Sequence, residues 1–92
     1  MALIYRASGD VENVEPKNGT DFQLEELQAI VDGWIEIKFL RDDEGRVMVL
    51  NEEGKLRNLP YNERATMLYR KFLYVHDFIV GDVLICDKSQ IK

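Results

Sequence analysis

The chain has one cysteine, Cys86, one histidine, His76, and two prolines among its 92 residues. A lone cysteine cannot form an intramolecular disulfide, and a thiolate metal site needs several such ligands at fixed spacing. With a single histidine there is no second imidazole for a metal pair at His76-Asp77, and Ser8, Thr66 and Ser89 have no base placed to activate them. No run approaches the roughly 20 apolar residues of a membrane span. The start, Met1 to Arg6, shows no basic end followed by a long apolar stretch. A cytoplasmic chain, neither secreted nor membrane-inserted, is expected. Positive charge is also short: 12 Lys and Arg stand against 17 Asp and Glu, a net charge of −5. The resulting negative field disfavours nucleic acid as a partner.

The composition that is present, 46% hydrophobic and 32% charged, belongs to one compact domain over residues 1–92. A chain of this length buries only about 60 to 65% of its unfolded surface, so association with a second copy is a natural supplement to its stability.

Leu3, Tyr5 and Ala7 alternate with Ile4, Arg6 and Ser8 as a first strand that ends at Ser8-Gly9-Asp10, and residues 11–15 pair back as a short edge strand before Pro16. Thr20 with Gln23 three residues later reads as a capping box, and Leu24, Leu27, Ile30 and Val31 fall at helical spacing. Glu25 and Glu26 suit the first turn of that helix, and Gly33 is placed to end it in the left-handed conformation. Residues 33–40 alternate with Ile35, Ile37 and Phe39 on one face and Trp34, Glu36 and Lys38 on the other. The polar run Arg41 to Gly45 turns them into a second strand, residues 46–50. Lys55-Leu56-Arg57 can form a brief strand or extended arm. Asn62 is placed to cap a second helix from Glu63 to about Lys71, with Ala65, Leu68, Tyr69 and Phe72 inward. After a Gly81-Asp82 break, Val83 to Cys86 form a buried last strand. Together these predict an α+β fold: a mixed or mainly antiparallel sheet of about five strands, with two helices packed over one face.

The strings LEELQAIVDGWIEI (24–37), VLNEEGKLRNLPYNERAT (49–66) and DFIVGDVLICD (77–87) occur in one order. In combination they resemble the DUF3846 family, a domain of unknown function in bacteria, phages and other mobile elements. The resemblance spans most of the chain. It implies an intracellular α+β domain encoded beside accessory genes, and it carries no catalytic residue to transfer. Asp32-Gly33, where relatives often have Gly-Gly, and the insertion-like segment from Tyr69 to His76 depart from the pattern.

Residues 51–54, Asn-Glu-Glu-Gly, have two readings. Asn and Gly suit a chain reversal, with Gly54 closing a type I turn as a bulge. Alternatively Asn51, Glu52 and Lys55, with Asn62 brought near by the returning chain, form a polar edge for a ligand or partner. Asp42, Asp43 and Glu44 read as a solvated hairpin tip, not a calcium loop. Arg64, Arg70 and Lys71 read as a solvated helix face. Cys86 reads as core, and no glycine loop cradles a phosphate. Tyr5, Trp34, Tyr61, Tyr69 and Tyr74 are expected as surface aromatics of the kind interfaces use. The function expected is a non-enzymatic binding module, without cofactor or metal, that docks a protein partner or itself through Trp34 and the hairpin edge. The alternative is a small-molecule sequestering protein, with Asn51, Lys55 and Asn62 holding a polar, nucleotide-like ligand at an oligomer interface.

Overall fold

A computed structural model describes residues 2–40, 45–73 and 76–91. Five strands, β1 (Leu3–Tyr5), β2 (Val11–Asn13), β3 (Ile35–Phe39), β4 (Arg46–Asn51) and β5 (Val83–Asp87), form one sheet in the order β2-β1-β5-β4-β3. Every ladder in it is antiparallel. Two helices, α1 (Leu24–Val31) and α2 (Glu63–Leu68), pack against it, which makes the fold α+β.

The last strand in sequence, β5, occupies the centre of the sheet between β1 and β4. Both β4 and β5 are continuous apolar runs, the pattern of strands covered on both faces. Alternate residues accordingly feed two cores. Ile4, Val47, Val49, Leu84 and Cys86 meet Leu27 and Val31 of α1. Tyr5, Met48, Leu50, Val83 and Ile85 meet Ala65 of α2 and Tyr69 just after it, together with Leu40 and Ile79. The two helices therefore lie on opposite faces, which corrects the expected packing over one face: α1 alone leaves the second apolar side of β4 and β5 in water.

Local chemistry shifts several expected boundaries. Gln23, not Thr20, precedes the first turn of α1, and its N–H donates to the Glu26 carboxylate at 2.8 Å. Thr20 and Asp21 instead donate their N–H groups to Asn18 Oδ1, closing an Asx turn ahead of an extended entry in which Phe22 bridges to Ile91. The left-handed residue at the end of α1 is Asp32, with φ 64°, and its N–H donates to the Gln28 carbonyl. Gly33 follows with φ 152°, a conformation that side-chain-bearing residues rarely adopt, and a Cβ there would also fall 2.8 Å from Asn51 Nδ2 and 2.9 Å from an Arg57 guanidinium nitrogen. Asn62 caps α2 as expected, accepting from Ala65 N–H. The helix stops at Leu68, a 3-10 turn covers Arg70–Phe72, and Leu68 is exposed while Thr66 takes a buried place. The Thr66 hydroxyl donates to the Asn62 carbonyl at 2.8 Å and accepts from Ile79 N–H at 2.9 Å, so its polarity is satisfied inside the core.

Candidate functional site

Asn51 ends β4 and is buried. Its Nδ2 donates to the carbonyls of Val31 and Asp32 at 3.0 and 3.1 Å, and its Oδ1 accepts from Glu53 N–H at 2.8 Å. The side chain thus closes the carboxyl end of α1 and starts the reversal, with Arg57 donating to the same Asp32 carbonyl at 2.5 Å. Lys55-Leu56-Arg57 is neither a strand nor an extended arm. Bonds from Arg57 N–H to Glu53, Asn58 N–H to Lys55 and Leu59 N–H to Gly54 wind residues 53–59 into successive turns, with Asn58 left-handed at φ 54°. Gly54 does not close the turn with a positive φ, as expected of a bulge. It is required because a Cβ there would lie 2.8 Å from Val80 Cγ2.

Those turns form one wall of a groove of about 190 Å³ on the α2 face of the sheet. It is lined by Glu36 and Lys38 of β3, Leu50 of β4, Glu52 and Lys55 of the reversal, and Asp77 and Phe78. Asn51 lines it too, so three of the five residues singled out in the sequence meet there. The Lys55 ammonium forms an ion pair with Asp77 and stands 4.5 Å from the centre of the Phe78 ring. Phe78 in turn packs edge-on against Tyr61, ring centres 6.1 Å apart. The Lys38 and Glu36 side chains approach to 3.7 Å.

Asn62 is elsewhere. Its side chain is fully enclosed at 0% exposure, donating to the Tyr5 and Gly81 carbonyls at 2.9 and 2.8 Å while it caps α2. Both of its N–H donors and its Oδ1 serve the core, and none faces the groove. Trp34 lies outside the groove but adjoins it: its carbonyl accepts from Glu52 N–H at 2.8 Å, and it is 65% exposed. Of the other expected surface aromatics, Tyr61 is exposed, whereas Tyr5 and Tyr69 are buried as a T-shaped pair with ring centres 5.9 Å apart. Tyr74 and the acidic tip Asp42, Asp43 and Glu44 lie outside the described residues. Phe39, expected to share the inward face of Ile35 and Ile37, is 58% exposed at the end of the edge strand, under the Lys88 ammonium.

The ion pair makes a pH prediction. The Lys55 ammonium holds the Asp77 carboxyl below the usual carboxylate range, aided by Phe78 N–H and opposed by burial. A carboxyl whose folded pKa is depressed contributes stability above its unfolded pKa and loses it as pH falls through the folded value. Lys55→Met is therefore expected to lower the urea midpoint slightly at neutrality and to flatten its acid limb below about pH 4, where the two proteins converge. Its cost is under about 1 kcal/mol, because the pair is partly exposed. An acid limb identical to that of the parent protein would contradict the pairing.

The groove presents paired charges and an aromatic wall. Cys86 is buried in the α1 core, where loss of hydration pushes its thiol up to about 12. Among the described residues no three His, Cys, Asp or Glu side chains gather to hold a metal ion, and no helix is long and apolar enough to cross a membrane.

The second feature beside the groove is the outer edge of β3. Trp34 O accepts from Glu52 N–H, and Leu40 N–H donates to Arg46 O, so these two pairs are hydrogen-bonded partners of the β3–β4 ladder. Antiparallel bonding alternates, which assigns Glu36 and Lys38 to β4 as well and turns the backbone N–H and C=O of Ile35, Ile37 and Phe39 outward. No strand among the described residues pairs with that side.

Fold and site together define a small α+β domain with an open sheet edge beside a charged groove. Residues 2–91 match the family described as Domain of unknown function (DUF3846), and the chain belongs to that family. No curated protein and no solved structure matches it.

Proposed function

We propose that this domain is a non-enzymatic binding module that takes an extended polypeptide as an added strand along β3. The observation that carries the reading is the row of outward backbone groups at Ile35, Ile37 and Phe39, flanked by the exposed rings of Trp34 and Phe39. Main-chain hydrogen bonds at an open edge supply affinity, and alternate side chains supply selectivity. The commitment of Asn51 and Asn62 to backbone carbonyls and the burial of Cys86 support binding over catalysis. The acidic composition and the single cysteine support a cytoplasmic setting, and the family resemblance supports an accessory or mobile-element one.

A second reading is favoured by the Lys55 ammonium over Phe78: a small polar ligand held by Lys38, Glu52 and Lys55. The groove's 190 Å³ is below the roughly 300–1,000 Å³ of ligand pockets, which weighs against a nucleotide-sized occupant.

Site-directed photocrosslinking in the producing cell tests strand addition. A benzoylphenylalanine at position 39 is expected to capture a polypeptide, while the same probe at Met67, exposed on α2, is not. Ile37→Pro, which deletes an outward N–H, should abolish the capture. No product at position 39, or equal products at both positions, overturns the proposal.

A further inference from the structure

Resting on strand addition at β3, we infer that the strand added is β3 of a second copy of this chain, in one register. The segment Ile35-Glu36-Ile37-Lys38-Phe39 is self-complementary when run antiparallel to itself about Ile37. In that register Ile37 faces its own equivalent, Ile35 faces Phe39, and Glu36 faces Lys38 on both sides of a two-fold axis.

Three independent features select this pairing. The residues that exchange backbone bonds across the axis would be Ile35, Ile37 and Phe39, the same three whose N–H and C=O groups point outward from the β3–β4 ladder. Glu36 and Lys38 then form non-hydrogen-bonded pairs, the closer kind, and each carboxylate meets an ammonium. They share the groove face, where Lys38 and Glu36 of one chain already approach to 3.7 Å, so the four charges of the pair alternate in sign around the axis. On the α1 face, the exposed Phe39 ring lies against the half-buried Ile35 of the other copy, an aromatic–β-branched cross-strand pair.

Neighbouring registers fail on charge. Centring the axis on Glu36 sets two carboxylates directly opposite, and centring it on Lys38 sets two ammonium groups opposite, both destabilising arrangements. The other sheet edge, β2, offers only three residues, Val11–Asn13, too short a template for the same pairing. The result is a two-fold dimer with a continuous sheet of ten strands, five from each copy. Trp34 is thereby placed across from Leu40 of the second copy, at the rim of both grooves. Such closed, isologous pairing also removes an edge that otherwise invites indefinite association.

Sedimentation equilibrium on the whole chain tests this. The parent protein is expected to dimerise with concentration. E36K and K38E each set like charges opposite at both pairs, and each is expected to weaken the dimer roughly tenfold or more. Mixing E36K with K38E restores opposite charges and should yield a heterodimer, and the double swap E36K/K38E should regain the homodimer. Unchanged thermal melts of the single variants show that folding is not the cause, and recovery on mixing is a gain that misfolding cannot mimic. A parent chain that stays monomeric at all concentrations, or single variants that dimerise like it, overturns the second-copy inference. If position 39 still crosslinks to a different polypeptide in that case, strand addition stands and only the identity of the added strand falls.

Discussion

Asn62→Ala is expected to lower the stability of this domain by about 3–4 kcal/mol, the combined loss of a helix cap and of two hydrogen bonds to buried carbonyls. The amide side chain reaches across the α2 core to Tyr5 O at 2.9 Å and Gly81 O at 2.8 Å, and accepts from Ala65 N–H at 3.1 Å. Alanine removes all three bonds, and a buried group that loses its partner costs about 1–3 kcal/mol. A domain of this size has a total of about 5–10 kcal/mol to lose. The change should remove roughly half of that and lower the melting temperature by about 20 °C. Urea unfolding followed by circular dichroism measures it. A loss below about 1 kcal/mol would mean that the amide is not holding the core. It would then be free for a ligand, as the sequence alone allowed.

Leu84→Ala carries the second large effect, about 4 kcal/mol by the transfer-plus-cavity cost of a fully enclosed leucine. Leu84 sits at the middle of the central strand, opposite Ile4 on β1 and Val49 on β4, within the core that also contains Leu27 and Val31 of α1. Little around it can collapse, because the neighbours on both flanks are fixed by ladders and the face above by the helix. The same denaturation experiment reads the loss. Leu24→Ala, at the half-exposed first residue of α1, is the matched control and should change stability by no more than about 0.5 kcal/mol. Equal losses at the two sites would contradict the central placement of β5.

The candidate site was legible in parts. Asn51, Glu52 and Lys55 stood out because a turn does not need so dense a cluster of polar groups, and the three do line one groove. Trp34, Glu36 and Lys38 were legible as one face of a strand from their alternation. Asp77 and Phe78, which complete the groove, had no local signal, since the Lys55–Asp77 pair joins residues 22 apart in sequence. Asn62 misled because an asparagine that caps a helix and one that binds a ligand look alike until its Nδ2 partners are known. One of them, Tyr5, is 57 residues away.

What the sequence determined by itself lay within a few residues: which segments are strands by their alternation, Asn62 as a cap, Glu25 and Glu26 in the first turn of a helix, and a reversal at Asn51, though not the ends of each element. What only the tertiary structure decided was which faces meet. The chain's last strand became the centre of the sheet, the helices took opposite sides, Tyr5 and Tyr69 went inside, and one edge of β3 was left without a partner strand among the described residues. Turns, caps and side-chain periodicity act through bonds spanning about four residues, so they are written locally. Sheet order and helix placement are settled by the mutual burial of apolar surfaces, which is non-directional and blind to separation along the chain.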